Sequence, residues 1–156
     1  MQVLTKRNRL PMSGSILCQN TDGIATVTLA NPGKLNAIDR AMWGDLGAVI
    51  AVLAADHTVR CVVIRGEGRE AFAAGGDLEE FVTARATLEQ ALHYHGQVAD
   101  ALDAIAQCPH PTLALIQGAC IGGGLEIAGV CDLRICGETA RFGAPINRLG
   151  FSMYPG

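Results

Sequence analysis

Aromatic side chains are scarce: one tryptophan, two tyrosines and four phenylalanines among 156 residues. A core made from this chain must therefore be alanine, valine, leucine and isoleucine packed closely. Charge is scarce as well, 17% against 49% apolar residues, with a mean hydropathy of +0.27, which excludes a disordered polyelectrolyte. No basic excess exists to hold a phosphate backbone, since the net charge is −3 and the pI about 5.7. No uninterrupted apolar run reaches the roughly 18 residues of a membrane span. The six cysteines, Cys18, Cys61, Cys108, Cys120, Cys131 and Cys136, include no C-x-x-C pair, and no secretion signal precedes them. Buried free thiols in a reducing compartment, and a cytoplasmic location, are expected.

Glycine is abundant, 19 of 156, against a usual share of roughly 7%, and it has no three-residue period. The length suits one domain. Residues 1–14 carry Lys6, Arg7 and Arg9 with no apolar segment behind them and are expected to be a flexible extension, Met12 being an alternative start. Residues 15–156 are expected to form the core. Residues 24–29 alternate and are β-branched, which predicts a strand; Thr21-Asp-Gly23 predicts the turn to a hairpin partner at 16–18. Asn36 is placed as an N-cap for an amphipathic helix over 37–55. Residues 61–65 read as a buried strand, followed by a glycine-rich connection over 66–76. Asp77 opens a helical turn, and Thr87 with Gln90 caps a long helix ending near Gln107, before Pro109 and Pro111. Strands are predicted at 112–117, 132–136 and 141–142, and a short apolar helix at 125–130 after the glycine-rich turn 118–124. Strands alternating with helices predict an α/β fold with parallel pairing.

Two glycine loops follow strands and precede helices. Gly66-x-Gly68-x-x-Ala71 loosely satisfies a dinucleotide fingerprint, but residues 69–76 open no helix at once and no acidic residue ends a second strand about 20 positions on. A phosphate-binding P-loop motif is missing altogether. A helix start offers unpaired N–H groups, and glycine allows close approach to them. Two such loops meeting would aim two N–H groups at one oxygen, as stabilising an enolate requires. Close packing of helix on sheet uses the same residues. Glu126 stands in the otherwise apolar run 121–130; buried there, it is expected to be protonated more readily than usual and suited to proton transfer, or else paired with Arg134, Arg141 or Arg148.

Ala30-Asn-Pro-Gly-Lys-Leu-Asn-Ala37, Ala71-Phe-Ala-Ala-Gly-Gly-Asp-Leu78, Gly118-Ala-Cys-Ile-Gly-Gly-Gly-Leu-Glu126, Cys131-Asp-Leu-Arg134 and Phe142-Gly-Ala-Pro145 stand in one order. Together they resemble the crotonase superfamily of enoyl-CoA hydratases and isomerases, from about Ile16 onward. The resemblance implies a spiral of β-β-α units, here without its C-terminal helical part, and assembly as trimers or hexamers. It implies an acyl-CoA thioester as substrate, no cofactor or metal, and a place in fatty acid metabolism. Carried over by position, the N–H groups of Gly76 and Gly123 would hold the thioester oxygen, with Glu126 as acid/base. Ala74 would offer its carbonyl to the adenine of CoA, Asp77 and Leu78 would line the same pocket, and Lys34 would approach the CoA phosphates. The second hydratase glutamate is replaced by Ile146, which can neither accept nor deliver a proton; this tilts against two-glutamate hydration and leaves open isomerisation by one carboxylate, decarboxylation or another reaction through a thioester enolate. The chain also stops where family members continue, so an exposed apolar edge is expected if Gly156 is the true end. A different class of reading is a non-catalytic or truncated subunit that binds CoA or pairs with an intact homologue.

His93 and His95, two positions apart on a helix, cannot share a face. His57 and His110 are expected in solvent, as are Glu67, Arg69 and Glu70. Glu79 and Glu80 suit a helix start, and Met42 and Trp43 are expected in the core.

Overall fold

In a computed structural model of the protein, residues 14–145 are described. The order is β1 (Ser15–Thr21), β2 (Ile24–Ala30), α1 (Arg40–Ala55), β3 (Cys61–Gly66), β4 (Ala71–Ala73), α2 (Leu78–Ala84), α3 (Leu88–Ala106), β5 (Thr112–Ile116), β6 (Ala119–Ile121), α4 (Gly123–Val130), β7 (Leu133–Cys136) and β8 (Arg141–Gly143). Strand pairs recur along the chain; β1 and β2 form a hairpin within one sheet, whereas the strands of each later pair, β3 and β4, β5 and β6, β7 and β8, enter different sheets. The larger sheet has the order β1-β2-β3-β5-β7, antiparallel only at its first pair; the smaller has the order β4-β6-β8 and is parallel throughout.

The β1–β2 hairpin turns at Asp22 and Gly23, both at positive φ (52° and 83°), as the right-handed strand twist favours. Residues alternating along β2, β3 and β5 (Ala25, Val27, Leu29; Val62, Ile64; Ala114, Ile116) turn one face inward. Against it lie Met42, Trp43, Leu46, Ile50 and Leu53 of α1 and Tyr94, Ala101 and Ile105 of α3. The helices approach where Gly47 meets Ala101, a Cβ on Gly47 standing 3.5 Å from the Ala101 Cα. The Trp43 indole N–H donates to the Tyr94 hydroxyl at 3.1 Å, so the single tryptophan is buried with its polar atom paired. Thr87 and Gln90 form the expected reciprocal cap of α3.

Several expectations change. Asp39, not Asn36, caps α1, which starts at Arg40: its Oδ1 accepts the Met42 N–H at 2.8 Å and its Oδ2 the Gly14 N–H at 2.8 Å. Gly14, assigned to the extension, is thus docked and buried; residues 1–13 lie outside the described part. The connections 66–76 and 118–124 each hide a three-residue strand, β4 and β6, too short for periodicity to reveal. Cys120 and Cys131 are buried, and burial pushes their thiols up to about 11 and about 12; Cys18 and Cys136 are exposed, because β1 and β7 are the edges of the larger sheet. His110 is half-buried, its Nε2 3.1 Å from the Leu53 carbonyl at the end of α1, instead of solvated. No helix among the described residues is long and apolar enough to cross a membrane.

Candidate functional site

The parallel β4, β6 and β8, with Ala73 opposite Cys120 and Ile121 opposite Gly143, open their C-terminal ends on one side. That is where α/β sheets place ligands. Ala74-Gly75-Gly76-Asp77 follows β4, and Gly122-Gly123 followed by α4 succeeds β6. The two turns touch: a Cβ built on Gly75 would stand 3.4 Å from the Ile121 carbonyl oxygen, and one on Gly122 would stand 3.7 Å from the Gly75 Cα. Both glycines have positive φ, 103° and 49°, which a side chain would oppose.

The neighbouring N–H groups are oriented by the peptides they belong to. The Gly75 carbonyl accepts the Ile38 N–H at 2.7 Å. A planar trans peptide directs its N–H opposite to its carbonyl, so the Gly76 N–H points away from residue 38. The Gly122 carbonyl accepts the Glu126 N–H at 3.0 Å along α4, so the Gly123 N–H points back out of the helix start. Among the described residues neither N–H donates to a backbone group. The start of α4 is braced by its lack of side chains: a Cβ on Gly123 would stand 2.9 Å from Trp43 Cζ2, and one on Gly124 would stand 2.7 Å from the Ala73 carbonyl.

Glu126 lies three residues after Gly123 and therefore over the same helix face. It is exposed and makes no ion pair among the described residues, contrary to the expected burial. The eight-residue α4 turns Gly124, Ile127 and Ala128 inward, and Glu126 falls on the other side. Arg134, one expected partner, instead caps the end of α4 through the carbonyls of Ala128, Gly129 and Cys131 at 2.7, 3.0 and 2.8 Å. Arg148 and Ile146 lie outside the described residues.

Lys34, Asp77 and Ala74 border the same turn. The Lys34 ammonium is 2.6 Å from Asp77 Oδ2 and 2.7 Å from Glu79 Oε2. These bonds, Asp77 first, hold it well above the ordinary lysine range. Asp77 Oδ1 accepts the Glu79 N–H at 3.1 Å and caps α2. The Ala74 N–H donates to Leu35 at 3.0 Å, and Leu78 is 57% exposed. The sequence offered the 31–38 loop as part of a family motif, with Lys34 its candidate contact and Asn36 a helix cap; Ile38 had no role and Asn36 none at the site. The loop supplies residues that sequence reasoning missed: Ile38, which orients Gly76, and Asn36. The Asn36 amide donates to the Glu67 and Ala71 carbonyls at 3.0 and 2.9 Å from a backbone at φ 56°. The signal available was asparagine's tolerance of that conformation in a Pro-Gly turn.

Residues 19–155 match the family model for enoyl-CoA hydratase/isomerase. The chain belongs to that family. A relative named "Probable enoyl-CoA hydratase 2, mitochondrial" from Arabidopsis thaliana is 39% identical over 155 residues, covering 97% of this chain and 46% of its own length. A Delta(3,5)-Delta(2,4)-dienoyl-CoA isomerase from Dictyostelium discoideum is 32% identical over 128 residues, 76% of this chain and 43% of its own. The solved enoyl-CoA hydratase/carnithine racemase of Magnetospirillum magneticum superposes with a TM-score of 0.87 at 42% identity, covering 91% of this chain and 55% of that one. The fold is the family's α/β spiral, and the chain spans about half the length of the relatives it matches.

Proposed function

We propose that this member of the enoyl-CoA hydratase/isomerase family acts on acyl-CoA thioesters. The thioester oxygen is received between the Gly76 and Gly123 N–H groups. As the substrate loses a proton from carbon, charge gathers on that oxygen, and two preoriented donors stabilise it more than they stabilise the ground state. Glu126, on the Gly123 face of α4, takes the proton and returns it to another carbon of the acyl chain, so the double bond moves with no net change in atoms. Such a shuttle needs one carboxylate, in keeping with Ile146 at the second position. Ala74, Asp77 and Leu78 flank the CoA side of the turn. Lys34 borders it with its ammonium already held by two carboxylates. No cofactor enters this chemistry; assembly as trimers or hexamers, a cytoplasmic location and a role in fatty acid metabolism complete the proposal.

The observation that carries the reading is the meeting of the two glycine turns, each with an oriented N–H lacking a backbone partner. Glu126→Gln is expected to abolish turnover of an enoyl-CoA while leaving its binding intact. The exposure of Glu126 favours a second reading, a subunit that binds CoA without catalysis or that pairs with an intact homologue. An unaltered protein that binds acyl-CoA without turning it over, and is indifferent to Glu126→Gln, selects that second reading.

A further inference from the structure

The turn holding Gly76 is fastened to the 31–38 loop at four points. Three are backbone bonds: Ala74 N–H to Leu35 at 3.0 Å, Ile38 N–H to Gly75 at 2.7 Å, and Asp77 N–H to Ile38 at 2.9 Å. The fourth is the ion pair between Lys34 and Asp77 at 2.6 Å. The Asp77 side chain is only 10% exposed, and that ammonium pairs with it there. The loop itself is under tension. Leu35 and Asn36, neither a glycine, follow Lys34 with φ of 50° and 56°, a conformation that persists only where its surroundings over-determine it. Lys34 closes this turn at both ends, its N–H donating to Asn31 at 3.1 Å and its carbonyl accepting from Ala37 at 3.0 Å.

Resting on the proposed oxyanion site, we propose that Lys34 and Asp77 are positioning residues for the Gly76 N–H, and that Lys34 acts through Asp77 instead of through the phosphates of CoA. The pair keeps the strained loop seated, so that Ile38 holds the Gly75 carbonyl and the Gly76 N–H keeps its direction. Loss of the ion pair lets the loop relax, Ile38 withdraws from Gly75, and the peptide carrying the donor turns.

The test is difference infrared spectroscopy of a bound thioester labelled with 13C at its carbonyl, offered as the CoA thioester and as the pantetheine thioester, which lacks the nucleotide. The unaltered protein is expected to lower the carbonyl stretch of both. Lys34→Met and Asp77→Asn are each expected to lose at least half of that shift with both thioesters, and Lys34→Arg to keep it. Lys34→Met, at a side chain 36% exposed, carries the test alone should Asp77→Asn fail to fold. Retention of the full shift in Lys34→Met, with weakened binding of the CoA thioester only, makes Lys34 a phosphate contact and overturns the inference while leaving the oxyanion site standing. No shift with either thioester in the unaltered protein overturns the oxyanion site and the positioning role together.

Discussion

The two sheets are built on opposite principles. In the larger, strands of four to seven residues present side chains alternately to the helices, and stability comes from filling space with Val27, Leu29, Val62, Ile64 and Ile116. In the smaller, all three strands have three residues; Phe72 is fully buried in β4, and the neighbouring segments pack by close backbone approach at glycine. Gly118, at φ 63°, lies so close to Glu70 that a Cβ would strike the Glu70 carbonyl, and Gly124 lies equally against Ala73. The contrast teaches that bulk holds the larger sheet, whereas close backbone approach holds the turns beside the smaller one, as the proposed site requires.

The comparison breaks most severely where the two regions share a residue. Trp43 fills the helix side of the larger sheet and backs Gly123 of the smaller. Trp43→Ala is expected to cost about 3–5 kcal/mol in urea unfolding, the range for a large buried aromatic. Next comes Gly118→Ala, which adds one methyl group to the smaller sheet. It forces a strained φ as well as a backbone collision, and about 1–3 kcal/mol is expected in the same measurement; a neutral result would mean that the smaller sheet tolerates bulk after all.

The smallest effect belongs to the link between β5 and β7 in the larger sheet. Asp132 Oδ2 accepts the Thr112 N–H at 2.7 Å and the Thr112 hydroxyl at 2.9 Å, while its own N–H donates to that hydroxyl at 2.9 Å. The Thr112 backbone bond first, then its side-chain bond, holds the carboxyl below the usual carboxylate range. Because the folded pKa is the lower one, the link contributes its full stability above the ordinary Asp value near 3.8 and loses it as pH falls through the lowered value. Asp132→Asn is expected to flatten this acid limb of a stability–pH profile, and Thr112→Val, which keeps the backbone bond, to flatten it only in part. An Asp132→Asn profile that retains the limb assigns the acid sensitivity to another group.

The legible parts of this protein were those with long periods or local chemistry. Helix α3 announced itself through its Thr87–Gln90 box, the hairpin through Asp22-Gly23, and β2, β3 and β5 through their apolar patterns. The five motifs, taken together, named the family and singled out Gly76 and Gly123 as candidates. The three-residue strands escaped, since three residues hold no period, and so did the division into two sheets, which depends on pairing between β4 and β6, where Ala71 meets Ala119 and Ala73 meets Cys120. Asn36 was misread because asparagine suits both a helix cap and a left-handed turn; distant carbonyls of Glu67 and Ala71 decided between them.

Sequence by itself determined the order of the helices and longer strands and the two glycine turns, because propensity, capping and glycine's freedom act over a few neighbouring residues. Only the tertiary structure decided that those turns touch, that Ile38 orients the Gly76 N–H, that Lys34 faces Asp77 and Glu79, and that Glu126 stands exposed. Each of these is a meeting of segments far apart in the chain, fixed by strand register and by which face of α4 turns inward, and neither quantity is written in any local run of residues.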